Sequence, residues 1–208
     1  MHSRLRAVAS IDDRGTFGRQ QRLGLLDKLE ATMNKMSQLL VSALVTGTVA
    51  SIVSTAALAA MSKAEGKRAV RPANSTSHWL HGEDAGRVEE LDMPHTGTGL
   101  ATHHASAVFW AVPFEAWLAF HPPRSNIELM RNASAMAAVA AIVDYGIVPE
   151  RLTPGWELVL SRKSMIGGFA SLAVGLTAGA LASQTICSNV RASRGNPLLW
   201  AGDAHKRK

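Results

Sequence analysis

Five of the eight histidines fall between positions 78 and 104, at His78, His81, His95, His103 and His104. Imidazole changes charge near neutral pH and serves as a proton carrier or metal ligand, so this bias is the first chemical signal in the chain. His103 and His104 stand near the start of an otherwise apolar stretch, 99–120, and Asp144 near the end of another, 132–148. If both stretches cross a bilayer in opposite directions, all three residues approach the same leaflet at similar depth. A carboxylate at the centre of a spanning helix costs about 2.5–3.5 kcal/mol on insertion scales, so Asp144 needs a partner. A histidine supplies a hydrogen bond and, once protonated, a counter-charge. His103, His104 and Asp144 are therefore the candidate polar cluster. It either titrates or binds a ligand near the outer face, or makes a structural interhelical hydrogen bond.

His78 and Glu115 are secondary candidates. Glu115 follows Pro113 and lies between Trp110 and Trp117. Proline removes a helical N–H and can kink the helix, and Glu115 can reach the inner interface to pair with Arg124 or Arg131. His78 and His81 share one side of a helix at i, i+3, whereas the neighbours His103 and His104 diverge by roughly 100°. With a single cysteine, Cys187, and no HExxH pattern, no set of three or four convergent metal ligands is expected, and no cofactor. No serine or cysteine nucleophile has an obvious base, and no glycine loop follows a strand to cradle phosphate. An enzyme is disfavoured.

The elements that must position these residues follow from charge patterning. Across 208 residues, 47% are hydrophobic and only 18% charged, below the roughly 25% of soluble domains. Between Lys35 and Lys63 lie 27 residues without formal charge, and 164–190 carries none. About 20 apolar residues cross the hydrocarbon core, so both runs are long enough to span. With 99–120 and the shorter, alanine-rich 132–148, the expectation is an all-α, four-helix transmembrane bundle. The third segment could instead be a buried or re-entrant helix, because Ala inserts weakly and Asp144 opposes insertion.

Lys and Arg number 14 in the two tails and the second connector, against 8 in the first and third connectors. The positive-inside bias then places both termini in the cytoplasm. The uncharged run from Ala43 to Ala60 is too long for a signal-peptide core, and it is read as a span. Upstream, Leu26, Leu29, Met33, Met36 and Leu40 recur at helical spacing among charges. They suggest an amphipathic helix on the membrane interface, or a cytosolic extension of the first span. Residues 1–20 read as unstructured. The expected organisation is a basic tail with this helix over 1–36, a membrane domain over 37–190, and a basic tail over 191–208. The net charge of +6 resides in these tails, which suit anionic lipid and give no reason to invoke nucleic acid.

Helices in lipid associate where small residues let backbones approach. Gly167, Ser171, Gly175, Gly179, Ser183 and Cys187 recur every four residues, and Ala43, Gly47, Ser51, Thr55 and Ala59 form a similar stripe in the first span. The two stripes predict that spans one and four pack together, within one chain or across a homo-oligomer. Trp79, Trp110, Trp117, Trp156 and Trp200 flank the spans as interfacial anchors would. The connector Pro149–Glu157, with its Pro154-Gly155 pair, predicts a rigid turn.

Three groups of residues carry a resemblance: Ser77-His78-Trp79; Thr102-His103-His104 with Phe109-Trp110 and Glu115; and Val143-Asp144-Tyr145 with Val148-Pro149 and the run Arg151–Glu157. Over roughly positions 40–185 the chain resembles small bacterial multi-span inner-membrane proteins, with a layout distantly similar to the YagU-type proteins. His81 departs from that pattern, where tryptophan would fit. The resemblance implies a bacterial cytoplasmic-membrane protein with several helices and no particular activity. The leading expectation is an integral cytoplasmic-membrane protein of unknown biochemical role; the alternatives are a small transporter or proton-linked membrane component using Asp144, His103 and His104, and an assembly or scaffold subunit bound to another membrane protein.

Overall fold

The computed structural model describes the backbone of residues 3–194 and the side chains of 24–188 apart from Asp27. The chain divides into two compact units, 1–38 and 39–208. The described residues form six α-helices: α1 (Ser3–Ala64), α2 (Arg71–Ser75), α3 (His78–His81), α4 (Thr98–Phe120), α5 (Asn126–Gly146) and α6 (Arg162–Arg194). No strand occurs among the described residues, and the fold is all-α. Residues 3–20, expected to lack structure, belong to α1, and the basic terminus 205–208 and Trp200 lie outside the described residues. In the first unit, Leu25, Leu26, Leu29, Met33 and Met36 are exposed along the helix.

In the second unit the residual part of α1 packs with α4, α5 and α6 around an alanine-rich core. Ala43 and Ala50 meet Ala111, Phe114 and Leu118 of α4, Leu129, Ala133, Ala137 and Ala140 of α5, and Leu172, Leu176 and Ala180 of α6. The spacing of three and four residues is the one face a helix turns toward its neighbours. Large apolar side chains on the other faces stay uncovered: Leu44, Ile52, Phe109, Val139, Ile142, Ile166 and Val174 are all exposed. Alanines make up much of this core, with Phe114, Leu129 and Leu176 as its largest fully buried side chains.

Glycines set the closest approaches. A Cβ on Gly175 would lie 2.6 Å from the Ala50 Cα, and one on Gly179 the same distance from the Thr46 Cα. Helices α1 and α6 therefore touch backbone to backbone within one chain. The α1 face involved is Thr46 and Ala50, which differs from the expected stripe. Gly47 instead faces α4, where a Cβ would fall 2.5 Å from the Val108 Cα. The reason is angular: Gly47 is one position, about 100°, round from Thr46. Gly167 abuts Met61, the Ser171 hydroxyl donates to its own helix at Gly168 O, and Ser51 and Ser183 are buried. Cys187 Sγ lies 3.9 Å from Ser42 Oγ at the same seam.

Helix α5 starts at Asn126, six residues before the expected segment. Ser125 accepts the Glu128 N–H, and the Glu128 carboxylate accepts the Arg124 N–H, a reciprocal cap that fixes this start. Helix α4 runs on through Pro113. Among the described residues two stretches, Gly24–Ala64 and Arg162–Ser188, are long and apolar enough to cross a membrane. Helices α4 and α5 have 23 and 21 residues, about 30 Å or more at 1.5 Å per residue. His103, His104 and Glu115 in α4, and Arg131 and Asp144 in α5, hold their hydropathy lower.

The first connector is far more structured than a loop. Its run of small polar residues packs inward, with Asn74, Ser75 and Ser77 fully buried. Asn74 Nδ2 donates to Val88 O and Glu90 O, both at 2.9 Å, and its Oδ1 accepts from Thr96 Oγ1 at 2.6 Å. The Arg71 guanidinium donates twice to Gly86 O. Asp92 caps the π-turn Met93–Gly97, and the His95 ring and the His95 N–H beside it hold its carboxyl below the ordinary range.

Candidate functional site

The connectors 65–97 and 147–161 are locked together. His78 Nε2 lies 3.2 Å from Glu150 O, Nδ1 lies 3.0 Å from Ser75 O, and Arg151 Nε donates to Trp79 O at 3.0 Å. Gly155 sits at φ +78°, and a Cβ there would lie 2.3 Å from Ser75 O, so both conformation and space demand glycine. The two ring nitrogens of His78 thus face carbonyl oxygens, and His81 Nε2 donates to Pro94 O. The His78/His81 pair is spent on tying loops together. Among the described residues no three His, Cys, Asp or Glu side chains converge on a common point.

Beneath these connectors lies a cavity of about 250 Å3. Its wall draws on every surrounding element: Trp79 from α3; Thr102, His103, Ser106 and Trp110 from α4; Asp144 from α5; Thr153, Pro154 and Trp156 from the third connector; Phe169 from α6. Two sequence candidates, His103 and Asp144, meet here although 41 positions separate them. They face one space and are not joined by a hydrogen bond. His104, the third expected member, is not part of the wall, since the next residue on a helix turns about 100° away.

The polar candidates of the wall have defined neighbours. The Ser54 hydroxyl donates to Ala50 O at 2.7 Å, so its oxygen accepts from His103 Nε2–H at 2.9 Å. His103 also lies against the Trp156 ring, centroids 5.7 Å apart, and Trp156 against Phe169 at 5.3 Å. Trp110 is the hydrogen-bonding neighbour of the Asp144 carboxyl group. The following residue, Tyr145, donates its hydroxyl to Glu157 Oε2 at 2.9 Å, which ties the end of α5 to the third connector.

Trp110 and Trp156 were expected at the membrane interface; both are buried, and with Trp79 they form the aromatic wall. Residues flanking a span and residues capping a cavity occupy the same positions along the chain, so spacing does not separate them. Glu115 is also placed differently from expectation. Its Oε1 accepts from the buried Thr46 hydroxyl at 2.5 Å, and Arg131 pairs with Glu128 instead. Ser54 was missed because a serine inside an apolar run reads as a packing residue. Only the fold reveals that it faces His103.

Apart from the cavity wall, Glu65 joins the end of α1 to the start of α6. Its carboxylate accepts from Lys67 Nζ at 2.8 Å, from the Ser161 N–H, and from the Ser164 hydroxyl at 2.6 Å. Lys67 foremost, then Ser161 and Ser164, pull its pKa from 4.5 to about 2.

Comparison of the chain with protein-family models, with curated proteins and with solved structures finds no match.

Proposed function

We propose that the chain is a multi-span protein of a bacterial cytoplasmic membrane that binds a small solute in a cavity between its helices. In this reading α4 and α5 cross the bilayer beside the Gly24–Ala64 stretch and α6, and both termini face the cytoplasm. The interlocked connectors then form a cap on the opposite side. The observation that carries the binding role is the meeting of His103 and Asp144 at one cavity wall. A polar group within lipid-solvated helices is expensive, and such residues facing a cavity mark solute or ion pathways. The exposed apolar faces of all four long helices support the membrane reading.

Two measurements test this. Membranes washed in alkaline carbonate should retain the protein in the pellet, and release to the supernatant would overturn the membrane assignment. In a Cys187→Ser background, Ser106→Cys at the cavity wall should react with a water-soluble, membrane-impermeant maleimide added from the connector side. A thiol that stays unreactive in the folded protein would show that no water-accessible cavity exists there.

A further inference from the structure

Resting on that reading of the cavity, we infer that its ligand is a small organic monocation, an ammonium compound. Size sets the first limit. A cavity of about 250 Å3 lies just below the range of pockets for drug-sized ligands, about 300–1,000 Å3, and suits a small solute.

Charge sets the second. Asp144 is the one formally charged side chain of the wall, no Lys or Arg lines it, and no ion pair to Asp144 exists among the described residues. The hydrogens of Thr76, Thr102 and Trp79 already point elsewhere. Thr76 donates to Pro72 O, Thr102 to Thr98 O and Trp79 to Thr102. Thr153 lies between two acceptors, Glu150 O and the Glu157 carboxylate. These hydroxyls present lone pairs to the cavity, which suit a ligand that brings positive charge or N–H donors and repel an anion.

The character of the wall sets the third. Trp79, Trp110, Trp156 and Phe169 put four aromatic rings in it, and such rings attract organic cations through their quadrupole. A bare metal cation wants six or more oxygen ligands, which one carboxylate and a few hydroxyls among four aromatic rings do not furnish.

Three of the five tryptophans line the cavity, so intrinsic fluorescence of the purified full chain in a nonionic maltoside detergent reads occupancy directly. Choline should give a saturable change. Its uncharged isostere 3,3-dimethylbutan-1-ol should bind at least tenfold more weakly, as should acetate and glycerophosphocholine. Asp144→Asn should weaken choline at least tenfold while Asp144→Glu weakens it less, both variants eluting as the parent does and giving its far-ultraviolet dichroism. Equal binding of the neutral isostere, preference for acetate, tighter binding of glycerophosphocholine, or no response to choline each overturns the inference. The Ser106→Cys labelling separates the two levels: a reactive thiol with no choline response removes the cation alone, whereas an unreactive one removes the cavity with it.

Discussion

Asn74 shows how much one residue can hold. It is wholly buried and joins three segments of the first connector through Val88, Glu90 and Thr96. Asn74→Ala leaves the Val88 and Glu90 carbonyls and the Thr96 hydroxyl to find new partners, at a cost of about 1–3 kcal/mol. Its expected effect is a clearly lowered melting temperature by circular dichroism in detergent; an unchanged value would mean that water replaces the amide. At the same scale, the chemical candidates divide by what they touch. His103 and Asp144 were legible from the sequence because charge in an apolar stretch is conspicuous. Asn74 and Ser54 were not, since a small polar residue looks alike whether it faces solvent, a helix carbonyl or a ring nitrogen.

Between elements, the decisive contacts are close approaches and one carboxylate. Gly179 lies against the Thr46 backbone, which cannot swing aside as a side chain can. Gly179→Leu should lower stability by about 1–3 kcal/mol or separate α1 from α6. Gly146→Ala, with nothing within 4 Å, should match the parent in the same thermal melt. Glu65 predicts a pH dependence. The unfolded chain takes up the Glu65 proton near pH 4.5 and the folded chain only near pH 2, so its contribution is whole above pH 4.5 and fades as the pH falls toward 2. Glu65→Gln should therefore melt lower than the parent at pH 7, with the gap closing by about pH 2–3; a gap constant with pH would refute the ionic link. The small-residue periodicity in α6 was plain in the sequence. Its partner face was off by one residue, because two parallel stripes of small residues give no rotational register until the helices are in contact.

For residues 39–208 as a whole, the proposed four-span topology predicts where connectors lie. In a Cys187→Ser background, Asp84→Cys and Glu150→Cys should be labelled by an impermeant maleimide from one side of sealed vesicles, and Arg124→Cys only from the other. Labelling of Asp84→Cys and Glu150→Cys from opposite sides would contradict both the span number and the packed connectors. The sequence by itself determined the helical class, the approximate bounds of the long helices and the positions where charge interrupts apolar runs. These are local properties, set by composition and by a period of 3.6 residues. Only the tertiary structure decided that the connectors fold into a cap, that three tryptophans turn inward, and that His103 and Asp144 share a cavity without His104. Such outcomes depend on the rotation of each helix about its axis, and that angle is set by contacts between residues far apart in the chain.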